Sequence, residues 1–195
     1  GPLDYLLYLS AFRYPLSGEM AIHVEALRDL KVSGDWGLEI GVLSEIYRNY
    51  STKRICQVDI ADDYEHKHQE VTTANGDGGL KRMSRDIALA FFRKLAALGV
   101  QVSLDNIRII RAAYYRNALD LIDHYYYDAT TNGLNYDRHS EENVVELFAQ
   151  SIVEAGEQFM NYPNQQSFIP SWNRVQSACP TVFADMKQAV ALDNA

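Results

Sequence analysis

The sequence predicts an α/β fold dominated by helices, and three observations predict it. Long amphipathic stripes run through residues 80–98, 104–125 and 144–159. Just two short apolar runs, 20–24 and 53–60, read as strands. Between them, residues 36–50 repeat apolar side chains at helical spacing around a central carboxylate, Glu39. Residues three, four and seven apart share one face of a helix, whereas alternate residues share one face of a strand.

The elements follow in order. Leu3 to Leu9 is apolar and Tyr-rich and reads as a short helix, broken at Ser17-Gly18. Met20 to Val24 is a strand candidate and Glu25 to Leu30 a turn of helix. Asp35 is the expected N-cap of a helix from Trp36 to about Tyr50, because its side chain can accept a free first-turn N–H. Lys53 to Ile60 reads as a buried strand through Ile55, Cys56, Val58 and Ile60. Asn75-Gly76 and Gly78-Gly79 mark a surface loop. A helix carrying Leu80, Met83, Ile87, Phe91, Leu95 and Leu98 then ends at Gly99. Ser103 caps the next helix, with Leu104, Ile107, Ile110, Tyr114, Ala118, Leu121 and Tyr125 on its apolar face. In Tyr125-Tyr126-Tyr127 the first ring is expected in the core and its neighbours at an interface. Asp137-Arg138-His139 precedes a third helix, with Ser140 as a further cap and Val144, Val145, Phe148, Ile152 and Phe159 facing inward. The tail, punctuated by Pro163, Pro170 and Pro180, reads as loops and a last short helix after Thr181. Two short strands make a poor sheet by themselves, so they are expected to complete a sheet whose main part lies upstream.

A chain of 195 residues can bury a sizeable core. Its net charge of -8 is spread along the sequence without a basic stripe, which argues against nucleic-acid binding. No apolar run approaches membrane-spanning length and no signal peptide is visible, so a cytoplasmic location is expected. Cys56 and Cys179 read as two thiols, the first of them buried. Gly1-Pro2 reads as the scar of a cleaved tag, with the natural protein beginning upstream.

Two constellations carry chemistry. Glu39 projects from an apolar arc of Val42, Leu43 and Ile46, completed by Trp36, Ile40, Tyr47 and Tyr50, while Ser44, Glu45, Arg48 and Asn49 take the wet face. A desolvated carboxylate needs compensation. A structural anion at a helix N-terminus and a substrate-facing group explain the spacing equally well. Gly37 and Gly41, which permit close approach of backbone to a ligand or a neighbouring element, favour function. The second constellation is Asp62, Asp63, His66 and His68. Such ligands suit Mg, Mn or Zn, although spacing alone favours a solvated polar loop.

Arg13-Tyr14-Pro15-Leu16-Ser17-Gly18-Glu19, Trp36-Gly37-Leu38-Glu39-Ile40-Gly41, Gln57-Val58-Asp59-Ile60, His66-Lys67-His68 and Leu80-Lys81-Arg82-Met83-Ser84-Arg85 occur in an informative order. Together they resemble the C-terminal half of the glucosyl-3-phosphoglycerate synthases, which are retaining GT-A glycosyltransferases. The resemblance covers about Phe12 to Arg85. It implies that residues 1–75 form the C-terminal part of a GT-A catalytic fold, with a helical region over 76–195. It also implies that Glu39 orients the reacting groups, that Trp36 and Gly37 line the sugar and acceptor pocket, and that Glu19 belongs to a segment shaping it. His66 is the implied ligand of a divalent metal, Mg or Mn. His68 stands where the family has an acceptor-contacting Asn.

The family's Asp-x-Asp motif and its Gly-Arg-Val-Thr-type acceptor loop have no counterpart here. The chain is therefore expected to be a fragment, inactive alone, of a hexosyltransferase using a nucleotide sugar donor and a phosphoglycerate-type acceptor, and to form a homo-oligomer. Glucosyl or mannosyl transfer to glycerate is the alternative within the family. A non-catalytic helical docking or oligomerisation module and a free-standing metal hydrolase are the alternatives outside it.

Overall fold

The structure, a computed structural model, describes residues 1–60, 79–163 and 168–194. The Asp62, Asp63, His66, His68 loop and the Asn75-Gly76 stretch lie outside them. Among the described residues there are eight α-helices and one two-stranded sheet. The helices are α1 (Pro2–Ser10), α2 (Val24–Asp29), α3 (Leu38–Asn49), α4 (Gly79–Ala97), α5 (Leu104–Thr131), α6 (Arg138–Asn161), α7 (Trp172–Ala178) and α8 (Val182–Asp193). Strand β1 (Val32–Ser33) pairs antiparallel with β2 (Phe168–Ile169), Val32 opposite Ile169 and Ser33 opposite Phe168. The helix-dominated expectation holds.

Helix α4 is the centre. One of its faces sends Leu89 and Phe92 into a cluster with Ile107 of α5 and Ala155 and Phe159 of α6. Another sends Leu95 into a cluster with Tyr5 and Tyr8 of α1 and Leu43 of α3. The two phenols are held by hydrogen bonds. Tyr8 Oη donates to the Leu43 carbonyl at 3.2 Å. Tyr5 Oη meets Ser44 Oγ at 2.6 Å, and that hydroxyl donates onward to the Ile40 carbonyl. Burial, with the neighbouring Tyr5 adding to it, pushes the Tyr8 phenol up to about 12, so it keeps its proton at neutral pH.

Small residues let α6 sit close to its neighbours. A Cβ on Gly156 would lie 2.5, 2.7 and 2.9 Å from three atoms of the Ile107 side chain. Turns between helices follow the glycines: Gly99 has φ +84° and Gly133 φ +69°, the left-handed region that only glycine enters without strain. Ser103 caps α5 by accepting the Asn106 N–H at 3.2 Å.

Several expectations are corrected. Met20 to Val24 is not a strand; Val24 instead opens α2. Lys53 to Ile60 is not one either. Ser51 Oγ accepts the Lys53 N–H at 3.3 Å and starts a 3-10 turn over Thr52–Arg54. Beyond it Val58 is 71% and Ile60 64% exposed, and Cys56 is exposed as well. Apolar runs become strands only where a neighbour satisfies their backbone groups, and among the described residues these two runs have no strand beside them. The strand that does form, β1, is short and was not expected; its partner β2 comes from the far tail.

Helix α3 starts at Leu38, not Trp36, with Gly37 as its N-cap. Asp35 still serves the helix start, its Oδ1 accepting the Gly37 N–H at 2.9 Å. Ser44 and Glu45 are buried instead of facing water. Glu45 ion-pairs with Lys94 of α4 at 3.3 Å and with Arg48 at 3.8 Å. On α5 the buried line runs through Ile107, Ile122 and Ala129, leaving Leu121 and Tyr125 about half exposed. Over so long a helix the 3.6-residue period walks the core-facing line past a position read from a fixed spacing. The cap of α6 is Asp137, which accepts the Ser140 N–H at 3.0 Å; Ser140 lies inside the helix. The tail holds two helices. Trp172 of α7 meets Phe183 of α8 at 5.4 Å between ring centres, Arg28 of α2 lies over Phe183, and Asn173 hydrogen-bonds Asp29.

Two outcomes follow from this packing. Replacing glycine by alanine inside a helix ordinarily gains about 1 kcal/mol. Gly156→Ala is expected to lose roughly 1–3 kcal/mol instead, because Ile107 has nowhere to move. A thermal melt of the variant reads this directly, and a raised Tm would show that α5 yields freely. Lys94→Met leaves the Glu45 carboxylate buried without its α4 partner and is expected to cost about 3 kcal/mol. The double variant Glu45→Leu/Lys94→Met should regain most of that in urea denaturation; a double variant as unstable as the single would contradict the pairing.

Candidate functional site

The turn that starts α3 gathers most of the sequence-predicted residues. Asp35 organises it by accepting two protons on one oxygen, from Ser33 Oγ at 2.5 Å and from the Gly37 N–H at 2.9 Å. Trp36 is 41% exposed beside it. Glu39 lies in the first turn of α3, half-buried, where the unpaired backbone N–H groups of a helix start favour an anion. Its carboxylate takes part in no hydrogen bond or ion pair among the described residues. It faces the preceding loop: a Cβ on Gly18, whose φ is +84°, would lie 3.8 Å from Glu39 Oε1. The Tyr14–Ser17 turn, closed by the Ser17 N–H to the Tyr14 carbonyl at 3.2 Å, brings that loop round. Glu19 follows Gly18 and is exposed. The fold thus brings Trp36, Gly37 and Glu39 to one place and puts the Ser17–Glu19 loop against it. His66 and His68 fall outside the described residues. Among the described residues no cluster of three or more His, Cys, Asp or Glu side chains could hold a metal.

Gly37 is where α3 meets α4. A Cβ there would stand 2.5 Å from Ala90 Cβ, 3.0 Å from Asp35 Oδ1 and 3.5 Å from the Asp86 carbonyl. Any other residue would push the α3 start away from α4.

Behind this contact lies a set of charges that the sequence reading did not single out. Asp86 of α4 ion-pairs with Arg82 at 3.7 Å. Burial, and then repulsion from Asp35, raise its pKa above the usual carboxylate range, while Arg85, Arg82 and the Trp36 N–H oppose the rise. Burial lowers the pKa of the Arg93 guanidinium, and Asp35 and Asp86 work the other way. The signal for this group was present as charges at i, i+4 and i+11 along α4, which put Arg82, Asp86 and Arg93 on one side of an otherwise apolar stripe.

A second tie fixes the loop from below. Gln57 Oε1 accepts the Arg13 N–H at 2.6 Å, and the Arg13 guanidinium stands 3.5 Å from Asp59. The segment 13–19 is therefore anchored to the stretch after α3, which leads toward the acid and histidine loop.

The arrangement suits recognition of hydroxyl-rich substrates. A half-buried carboxylate without a partner among the described residues, an exposed indole and a glycine turn supply an acceptor, a flat apolar surface and room for close approach.

No protein-family model matches the chain, and no solved structure matches it. Two curated relatives do. A glucosyl-3-phosphoglycerate synthase from Persephonella marina is 39% identical over 190 residues, which is 97% of this chain and 47% of the relative. One from Methanococcoides burtonii is 39% identical over 191 residues, 97% of this chain and 46% of the relative. The chain spans about half the length of these curated relatives. Almost from end to end, then, it resembles one half of the glucosyl-3-phosphoglycerate synthases, as the motifs around Gly18, Glu39 and Arg85 predict.

Proposed function

We propose that this chain supplies the sugar and acceptor side of a retaining hexosyltransferase that moves glucose from a nucleotide sugar to 3-phosphoglycerate. The observation that carries the reading is Glu39. It is a half-buried carboxylate with no protein partner among the described residues, set in the first turn of α3 and facing the Gly18 loop. A purely structural anion at that position would be engaged by the protein. An acceptor that the protein leaves open is available to a substrate hydroxyl. The near full-length similarity to two glucosyl-3-phosphoglycerate synthases supports the substrate class.

In this reading residues 1–75 present the pocket and residues 76–195 buttress it. Glu39 accepts a hydrogen bond from a hydroxyl of the sugar or acceptor and steadies positive charge as the bond to the leaving group breaks. Trp36 offers its ring face to the sugar. Glu19 and Gly18 limit the width of the pocket, and His68 is the candidate contact to the acceptor. His66 is the candidate ligand of a divalent cation, Mg or Mn, whose chemistry would be to neutralise a leaving diphosphate. The exposed Tyr125, Tyr126 and Tyr127 offer a surface for a homo-oligomer. No helix among the described residues is long and apolar enough to cross a membrane, and a cytoplasmic enzyme fits the substrates named.

Two measurements test the reading in the full-length enzyme. Glu39→Gln preserves shape while removing charge, and kcat/KM is expected to fall by roughly a hundredfold, about 3 kcal/mol of transition-state stabilisation. The Tm should hold, because the carboxylate makes no bond among the described residues that its amide would lose. Near-normal turnover with a clear loss of stability would make Glu39 a structural anion. His66→Ala should raise the metal concentration needed for half-maximal activity, and an unchanged metal titration would remove His66 from the site.

A further inference from the structure

Two neighbouring surfaces of this chain have the character of an interior, and nothing among the described residues covers them. We propose that the outer face of α1 and the open edge of the extended segment 56–60 together seat the rest of a synthase-length chain, the part that the two curated relatives carry and that has no counterpart here. The inference rests on the glycosyltransferase reading for what that part does, which is to bring the nucleotide sugar, but not for where it docks.

Helix α1 is apolar on both sides. Tyr5, Tyr8 and Leu9 turn one face into the tyrosine cluster with Leu43 and Leu95. Leu3, Leu6 and Leu7, three and four residues apart, make the opposite face and stand exposed, Leu3 by 68% and Leu7 by 60%. Asp4 is the one charged side chain of the helix. A surface helix carries polar residues on its wet face, whereas one that is apolar all round belongs inside a larger body.

The second surface is an extended run without a sheet. Ile55 leaves the 3-10 turn with φ -115° and ψ 135°. From Cys56 to Ile60 no backbone N–H or carbonyl is hydrogen-bonded among the described residues. Gln57 and Asp59 are engaged by Arg13, whereas Val58 and Ile60 stand in water, the alternation of a strand. An unpaired edge of this kind is a template for another strand. The two surfaces adjoin: a groove of about 210 Å³ opens between the end of α1 and the segment, lined by Tyr8, Phe12, Ile55, Cys56 and Gln57.

One occupant fits both surfaces. The chain spans 47% and 46% of the two relatives, so a protein of their length carries about as much chain again. A part linked to this chain meets the surface at high effective concentration. It also arrives beside the candidate site, because segment 56–60 is tied through Arg13 to the loop 13–19 that faces Glu39. A second copy would cover the leucines but would bring the same side of the reaction again.

Amide hydrogen exchange, read by mass spectrometry, tests this on the 195-residue chain and on the full-length enzyme. In the chain, peptides covering 56–60 should exchange as fast as unstructured backbone; in the full-length enzyme they should be slowed by roughly a hundredfold or more. Leu3→Gln/Leu7→Gln keeps helix propensity. It should leave the Tm of the chain unchanged and lower that of the full-length enzyme by about 5 °C or more. Equally fast exchange in both proteins would overturn the proposal, and so would a full-length Tm that the double variant does not move. Slow exchange that appears in the chain alone as its concentration rises would assign the surface to a second copy and overturn it too. Co-sedimentation of the chain with phosphatidylglycerol vesicles, abolished by the double variant, would assign it to a lipid surface with the same result. Protection of 56–60 together with full activity of Glu39→Gln would leave the docking surface standing and remove Glu39 from catalysis.

Discussion

Helix α4 has to bury more than one face, and the rest of the molecule is arranged around that requirement. Leu89 and Phe92 lie between α5 and α6, while Leu95 enters the tyrosine cluster of α1 and α3. Burying a large apolar side chain contributes about 2–3 kcal/mol, so neither cluster can be given up without much of the stability of a domain this size. A helix gripped by both clusters cannot slide toward one without opening the other. That rigidity is what makes α4 a usable reference for a binding site on its neighbour.

Two contacts convert packing into register. At the start of α3, Gly37 meets Ala90 and the Asp86 carbonyl; farther along, Glu45 meets Lys94. The two contacts come in the same order along both helices, so α3 and α4 run in the same sense and are tied at two points. Buried ionic contacts stabilise little in net terms, but losing one partner is costly. Slippage by one turn would strand Glu45, whereas apolar side chains alone would tolerate it.

That register reaches the site through Glu39. Its carboxylate has no partner among the described residues and is placed by the turn before it. Segment 13–19 is likewise positioned from outside, by Gln57 and Asp59 acting on Arg13. The candidate pocket is thus built from short irregular stretches whose geometry is borrowed from helices beneath them. This is the usual division between a rigid scaffold and the loops that carry function.

By itself the sequence determined the long helices, several of their ends and the site motifs. The stripe from Leu80 to Leu98, the stop at Gly99, the Ser103 cap and the prominence of Glu39 were legible because they depend on neighbours along the chain: side-chain period, cap chemistry and glycine's freedom. The tertiary structure decided the rest. Val58 and Ile60 alternate as a strand should, yet with no strand beside them among the described residues they lie exposed. Val32–Ser33 is short, yet it pairs because Phe168–Ile169 arrives from the tail. Glu45 looks solvated on a helical wheel, but Lys94 comes from another helix and makes its burial tolerable. Asp86 looks like one charge among many on α4 until Asp35 and Gly37 are brought near it. In each case the deciding partner lies far off in sequence, and a hydrogen bond or ion pair between distant residues leaves no local period to read.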